Sequence, residues 1–450
     1  MPRQRSVDVG LLLISFLLYG FIGFGIARYE TTTLLLTYYS LFIVYGWIVF
    51  HAGESQTNFW LMASLAFRFV LLFNVPNLSD DFYRFIWDGR LLASGYHPFA
   101  EVPSFYMAHP NEIKGIGIEL FSKLNSKDYF TIYPPVAQFI FWSAAKLSPD
   151  SIYGSMVVMK VILLGAEIGT LLVARQLLAM MNISTGRLLI YALNPLVIIE
   201  IVGNVHLEGL LIFFLLLSLL LLYRRKLIFS GLSMAMAICA KLIPVIFLPA
   251  LLPRMGWKRA AYYYMIAVAS CILLFIPIWD KEILSGFYDS LGYYFKKFEF
   301  NASIYYLVRE WGFWVYSYNI IQTVGWKLAL VSSCIIILLS YIPFRKVSES
   351  NVSSKDVDVT LFVRFLFILL TYYIFTTTLH PWYVTTLLAL SIFTGFRFPV
   401  IWTALIFLTY TGYSKVGFQE NFIAVAIEYI TVIGYFAYEL LWRKKHTLPA

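Results

Sequence analysis

Residues 207–226 read LEGLLIFFLLLSLLLLYRRK. From Leu210 to Leu222 a single serine interrupts the apolar side chains, and Arg224, Arg225 and Lys226 close the run. The whole chain is built this way. Of its 450 residues 60% are hydrophobic and 13% charged, and the mean hydropathy is +0.75. Soluble domains carry about 25% charged residues. A water-soluble core could not hide so much apolar surface, so lipid is the solvent that fits. The 32 Tyr, 39 Phe and 12 Trp point the same way. Many stand near the ends of apolar runs, where amphipathic rings prefer the headgroup layer.

A span needs roughly 20 apolar residues. Besides 207–222, such runs lie near 9–27, 34–51, 58–76, 133–147, 154–174, 188–203, 228–240, 242–253, 260–278, 323–343, 359–379, 382–395, 399–411 and 421–441. They predict an all-α polytopic membrane helix bundle, one integral membrane domain over 1–450, with about 12–14 transmembrane helices. Several runs are short, so some must tilt, pair as hairpins or fail to cross. Two polar-aromatic stretches, 77–132 and 279–322, are expected as outer loops carrying amphipathic helices. The N-terminal run lacks a small-residue cleavage site and is too long for a signal-peptide core, so it reads as an uncleaved first helix.

The net charge of +9 does not indicate nucleic acid. Positive residues cluster between apolar runs, at Arg224–Lys226, at Arg254 with Lys258 and Arg259, at Arg345-Lys346 and at Arg443–Lys445. Cytoplasmic loops of membrane proteins are marked in this way. Cys239, Cys271 and Cys334 fall inside apolar runs without CxxC spacing and read as small core residues. With Arg3 and Arg5 in the cytoplasm, three spans place Asp80 and Asp81 outside. Counting back from a cytoplasmic Arg443–Lys445 end puts 279–322, His380, His206 and Lys241 outside as well. Both termini are then cytoplasmic and the protein sits in the cell membrane. The two counts disagree by one crossing within 133–187, where 133–147 is the weakest span and reads as re-entrant.

The densest polar cluster is Ser79-Asp80-Asp81-Phe82-Tyr83-Arg84-Phe85-Ile86-Trp87-Asp88-Gly89-Arg90, followed by Gly95-Tyr96-His97-Pro98-Phe99. The spacing of Asp81, Arg84 and Asp88 places them on one helical face. A carboxylate held there can act as general base toward a hydroxyl. The alternative is an interfacial helix whose charges pair among themselves. Tyr133-Pro134-Pro135 suits a helix start. Asn194-Pro195, Glu200, Gly203-Asn204, His206 and Glu208 form a polar string between apolar runs, and ionisable groups at membrane depth face a cavity or a partner. Lys241 stands with little polar company and either snorkels or holds an anion. In the second outer loop, Lys296, Lys297, Asn301 and Arg309 lie among aromatics, and 291–309 reads as an amphipathic helix on anionic headgroups. His380 opens a span on the outer side. The chain has no P-loop, GxGxxG or HExxH.

The run Asp80–Arg90 with Gly95–Phe99 resembles the "D-x-Y-R-Y-x-W-D-G-R … G-x-N-P-Y" segment of bacterial integral-membrane mannosyltransferases. These are GT-C fold enzymes, close to the polyprenol-phosphate-mannose-dependent family 87 and its relatives. Tyr133-Pro134-Pro135, Asn194-Pro195 with Glu200 to Glu208, Lys241-Leu-Ile-Pro and His380-Pro-Trp-Tyr are similar to family features in the same order. The chain departs from that pattern in having two helices before the motif-bearing one, and His97 where the family often has Asn. The resemblance implies a polyprenyl-phosphate sugar donor, a glycan or lipid acceptor, inversion, and an Asp base in the first outer loop. Asp81 matches that position, two before the Tyr, with Asp80 the adjacent alternative. Arg84, Asp88, Arg90, His206, Glu208, Lys241, Arg309 and His380 are the expected substrate-binding residues. Of these, His206, Lys241, Arg309 and His380 are candidates to clamp the leaving phosphate. Asp80, Asp81 and Asp88 have the oxygens for a divalent metal, but the reading disfavours one and names no cofactor. Membrane lipids are the other expected partner. The competing reading is a transporter or flippase of a lipid-linked glycan, which would carry its polar residues on broken helices at mid-membrane.

Overall fold

A computed structural model describes residues 2–109, 113–279, 286, 290, 292, 296–343 and 359–446. The described residues are mostly helical. Among them the sheet is one small hairpin, Tyr413–Ser414 against Gly417–Phe418. The first helices are α1 (Pro2–Phe24), α2 (Thr31–His51) and α3 (Thr57–Val70), followed by α4 (Asp81–Ala93), α5 (Pro103–Ala108) and α6 (Ile118–Ser122). Next come α7 (Pro135–Leu147), α8 (Ile152–Met180), α9 (Leu188–Ala192), α10 (Pro195–Val197), α11 (Glu208–Tyr223), α12 (Leu227–Ala240), α13 (Leu248–Met255) and α14 (Trp257–Phe275). Helices at Ile304–Tyr316, Ile321–Tyr341, Thr360–Phe375, Val384–Ser391, Phe398–Leu405 and Phe422–His446 complete the bundle.

Among the described residues, six helices are long and apolar enough to cross a membrane: 6–24, 31–51, 152–180, 257–278, 321–341 and 422–442. The other expected spans fall on broken or shorter pieces. Thr185–Ala192 and Pro195–Gly203 are bent by 56°, because Asn194-Pro195 interrupts the ladder and 198–203 winds as a π-turn. Five more apolar helices have 10–17 residues, and Val384–Ser391 has only eight. Several spans predicted as continuous are therefore stacked half-helices. A continuous cluster of buried apolar residues joins them, from Tyr19 to Val432.

The ambiguous run 133–147 becomes α7, which is about 20 Å long at 1.5 Å per residue. It lies alongside α4. Phe85 stacks on Phe141 at 4.6 Å, Gln138 reaches Asp88, and Lys146 Nζ donates to the Ala93 carbonyl at 3.0 Å. Just past its end, Asp150 pairs with Lys114 of the first outer loop, and Tyr153 Oη donates to the Phe73 carbonyl. Thus α7 lies along α4, and it is not among the helices long and apolar enough to cross. At the far end of α8, Arg175 meets Asn58 at the start of α3. An α7 that does not cross brings the two orientation counts into agreement.

The second outer loop departs from its expected helix at 291–309. Residues 292 and 296 are helical and 291 and 293–295 lie outside the described residues; the chain then leaves the helix at 297–303, and a new helix starts at Ile304. Before it, the Phe300 amide donates to the Thr377 carbonyl and the Leu379 amide to the Phe300 carbonyl, a short extended bridge. Asn301 follows at φ 44, which a helix cannot hold. The basic pair Arg345-Lys346 lies outside the described residues. All three cysteines are free thiols.

Candidate active site

The chain entering α4 is tied at three points. Lys160 of α8 is buried and donates to the Leu71 and Asn74 carbonyls at 2.8 and 2.6 Å, closing the open end of α3. Asn77 donates to the carbonyls of Ile22 and Ile26 at the end of α1. The Leu78 amide donates to Asn204 Oδ1. This last bond brings the Asp80-Asp81 motif beside the Glu200–Glu208 string, 126 residues away.

The two aspartates then part. Asp80 forms an ion pair with Arg28 at 2.6 Å, and that guanidinium also lies over the Tyr413 ring. Asp81 opens α4, and its Oδ1 accepts from Asn125 Nδ2 at 2.8 Å. Asn125 is held in place by the same helix. Arg84 Nη1 donates to the Ser126 and Tyr129 carbonyls at 2.9 and 2.8 Å, fixing the loop that presents Asn125.

Arg84 and Asp88, expected to meet substrate, turn their polar atoms inward, and Arg90 faces away from Asp81 on the other side of α4. Arg84 Nε pairs with Asp88 at 2.7 Å, Gln138 donates to the other Asp88 oxygen, and Asp88 is fully buried. Arg90 Nη1 donates to the Gly115 carbonyl at 2.7 Å. The self-paired reading of the cluster holds for Arg84 and Asp88, though not for Asp81.

Across from Asp81, Val205 adopts a left-handed backbone at φ 63, a strained conformation for a β-branched residue, and turns the chain between Asn204 and His206. The His206 ring stacks on Trp382 with centroids 3.6 Å apart, and its Nε2 lies 3.3 Å from Glu200 Oε2. Tyr410 donates to the other Glu200 oxygen at 2.7 Å. The His380 ring stacks on the same Trp382, 4.5 Å away and nearly parallel, with Phe300 on its flank. Lys241 is not alone: Nζ pairs with Glu208, the first residue of α11, and lies 4.0 Å over the Tyr383 ring. The charges of Asp81, Glu208 and Lys241 all act on His206, and Lys241 and His206 act on His380. Tyr133 closes the patch. Burial, with Asp81 and Asp88 acting in the same sense, holds its phenol well above the usual tyrosine range, so it stays a neutral hydroxyl.

Arg309 is engaged elsewhere. It pairs with Glu299 at 2.9 Å and Glu310 at 2.8 Å, and lies over the rings of Tyr306 and Phe422. Asp80, Asp81 and Asp88 take separate partners, and among the described residues no group of three or more His, Cys, Asp or Glu is placed to hold a metal. Four participants escaped the sequence: Arg28, Asn125, Tyr410 and the Phe300 bridge. Each is defined by a partner far along the chain, and none carries a local signal.

This end of the bundle thus joins a partly exposed carboxylate to a lysine and two imidazoles. The family model of the alpha-(1->6)-mannopyranosyltransferase N-terminal domain matches residues 18–256, more than half of the chain. The chain belongs to this mannosyltransferase family. It is a multi-pass membrane hexosyltransferase that moves mannose from a sugar donor to a glycan acceptor, and the transporter reading gives way. No curated protein matches the chain. The matched stretch holds Asp81, His206, Glu208 and Lys241; Trp382 and His380 come from beyond it.

Proposed function

We propose that this mannosyltransferase takes mannose from a polyprenyl-phosphate donor and transfers it with inversion, on the outer face of the cell membrane, to a membrane-associated or periplasmic glycan hydroxyl. Both termini then face the cytoplasm. The observation that carries the reading is Asp81: it opens α4 with an amide as its partner, while Asp80 is neutralised by Arg28. With Oδ1 held by Asn125, Oδ2 takes the acceptor proton as the acceptor oxygen attacks the anomeric carbon. The bond from that carbon to the phosphate oxygen breaks, and its electron pair leaves on the lipid phosphate. That product is anionic, so it needs cations and donors more than a general acid. Lys241, His206 and His380 supply them, Lys241 turning from Glu208 toward the phosphate. Inversion produces the family's α-(1→6) linkage from a β-linked donor. The proposal uses no cofactor or metal. Arg84 and Asp88 position the loop that aims Asp81, and Arg309 braces the second outer loop.

The test uses the full chain in nanodiscs with radiolabelled β-mannosyl-phosphoryl polyprenol or GDP-mannose and a manno-oligosaccharide acceptor. Label should move from the lipid donor alone, and NMR of the product should show an α-anomer. Use of GDP-mannose, or a β-linked product, would overturn the proposal.

A further inference from the structure

Behind α4 lies a second recess. A cavity of about 680 Å³ opens between α4, the loop that ends in α6, and the start of α8. Asp81, Arg84 and Asp88 occupy one side of α4; Phe82 and Arg90, which line the cavity, occupy the other, as a period of 3.6 requires. The cavity therefore does not open on the Asp81 carboxylate. Its size falls within the roughly 300–1,000 Å³ of small-molecule pockets.

The wall is built of Tyr83, Arg90, Glu119, Lys123, Asp150 and Tyr153. Arg90 is 95% buried, being 5% exposed, yet among the described residues its Nε has no hydrogen-bond partner. An unpaired buried donor is costly, and the Arg90 side chain is part of the cavity lining. Burial lowers the Arg90 pKa, and the Asp150 and Glu119 carboxylates act against that fall. Lys123 sits 3.7 Å from Glu119 and over the Tyr83 ring. Glu119 is matched by Lys123 and Asp150 by Lys114 just outside the wall, and Arg90 adds one positive charge. A neutral polyhydroxyl ligand finds donors, acceptors and two aromatic rings together.

We propose that this cavity is a glycan-binding subsite that holds sugar units of the acceptor away from the reacting hydroxyl. The inference rests on the mannosyl-transfer reading for the identity of the glycan. A helix about 10 Å across separates the subsite from Asp81, so a long acceptor can occupy both and a monosaccharide cannot. Glu119 and Asp150 accept from sugar hydroxyls, Arg90 Nε donates, and the exposed Tyr153 ring packs on a sugar face.

The experiment measures equilibrium binding of α-(1→6)-linked mannotetraose, without donor, to the full chain in nanodiscs by calorimetry, with dodecyl phosphate as the anionic probe. Glu119→Gln and Tyr153→Ala alter exposed side chains, the second also losing the Tyr153 Oη bond to the Phe73 carbonyl, so both are compared with the wild type at equal unfolding midpoint. Each should weaken mannotetraose about tenfold, as expected for one lost contact, and leave dodecyl phosphate unchanged. Asp81→Asn should bind mannotetraose as the wild type does. Mannotetraose binding unchanged in both cavity variants would overturn the subsite, as would dodecyl phosphate alone responding to them. Transfer from the lipid donor with no effect of the cavity variants would remove only the subsite. Cavity-dependent binding without any transfer would remove only the donor assignment.

Discussion

Asp80 and Asp81 are neighbours with different company, and the chemistry follows from that difference. A carboxylate paired with a guanidinium is a poor proton acceptor for a passing hydroxyl, whereas one oriented by an amide keeps a free oxygen. Asn125→Ala should therefore lower kcat about 10- to 100-fold, because the carboxylate loses its aim, with KM for the donor little changed. Steady-state kinetics with both substrates varied would show this, and a rise in KM alone would assign Asn125 to binding. Lys241→Met should cost kcat about 100-fold, with Lys241→Arg recovering part of it. Equal activity in Lys241→Met would remove the lysine from the leaving-group side. Asp81 was legible in the sequence because it stands two residues before Tyr83 in a motif. Asn125 was not, since it lies among ordinary loop residues and meets Asp81 across 44 positions of chain. Lys241 stood out as an isolated cation, while its partner Glu208, 33 positions earlier, could not be paired with it by inspection.

At the scale of elements, α4 and α7 form the platform that aims the base. They meet backbone to backbone at Gly89, where an added Cβ would lie 2.1 Å from the Phe141 carbonyl oxygen. Backbone cannot yield as a flexible side chain can. Gly89→Ala should destabilise the protein by about 1–3 kcal/mol, read as a lower unfolding midpoint in detergent, and an unchanged midpoint would contradict the packing. The sequence marked 133–147 as a weak span because it is short and opens with two prolines. It could not show that α7 lies along α4, because that follows from Gln138 meeting Asp88 and Lys146 meeting Ala93. Apolar content alone does not separate a helix that crosses from one that lies against a neighbour.

Across the whole molecule, the apolar runs made the all-α membrane bundle readable from composition, and the breaks at proline explain why fewer full-length helices appear than runs. What joins the halves was hidden. Arg68 of α3 and Glu167 of α8 form a fully buried pair at 2.9 Å, with Tyr191 and the Ala192 carbonyl completing their bonds. Removing one charge leaves the other stranded, so Arg68→Met should cost about 3–5 kcal/mol. Arg68→Met with Glu167→Met should recover most of that loss, measured by denaturant unfolding in micelles, and a double variant no better than the single would refute the pairing. The central claim is that the outer-face carboxylate of Asp81 drives mannosyl transfer. Mannose transfer from polyprenyl-phosphate mannose, measured with purified wild-type and Asp81→Asn protein of equal thermal stability, tests it most directly. The account predicts transfer by the wild type and none above background by Asp81→Asn; full transfer by the variant would contradict it.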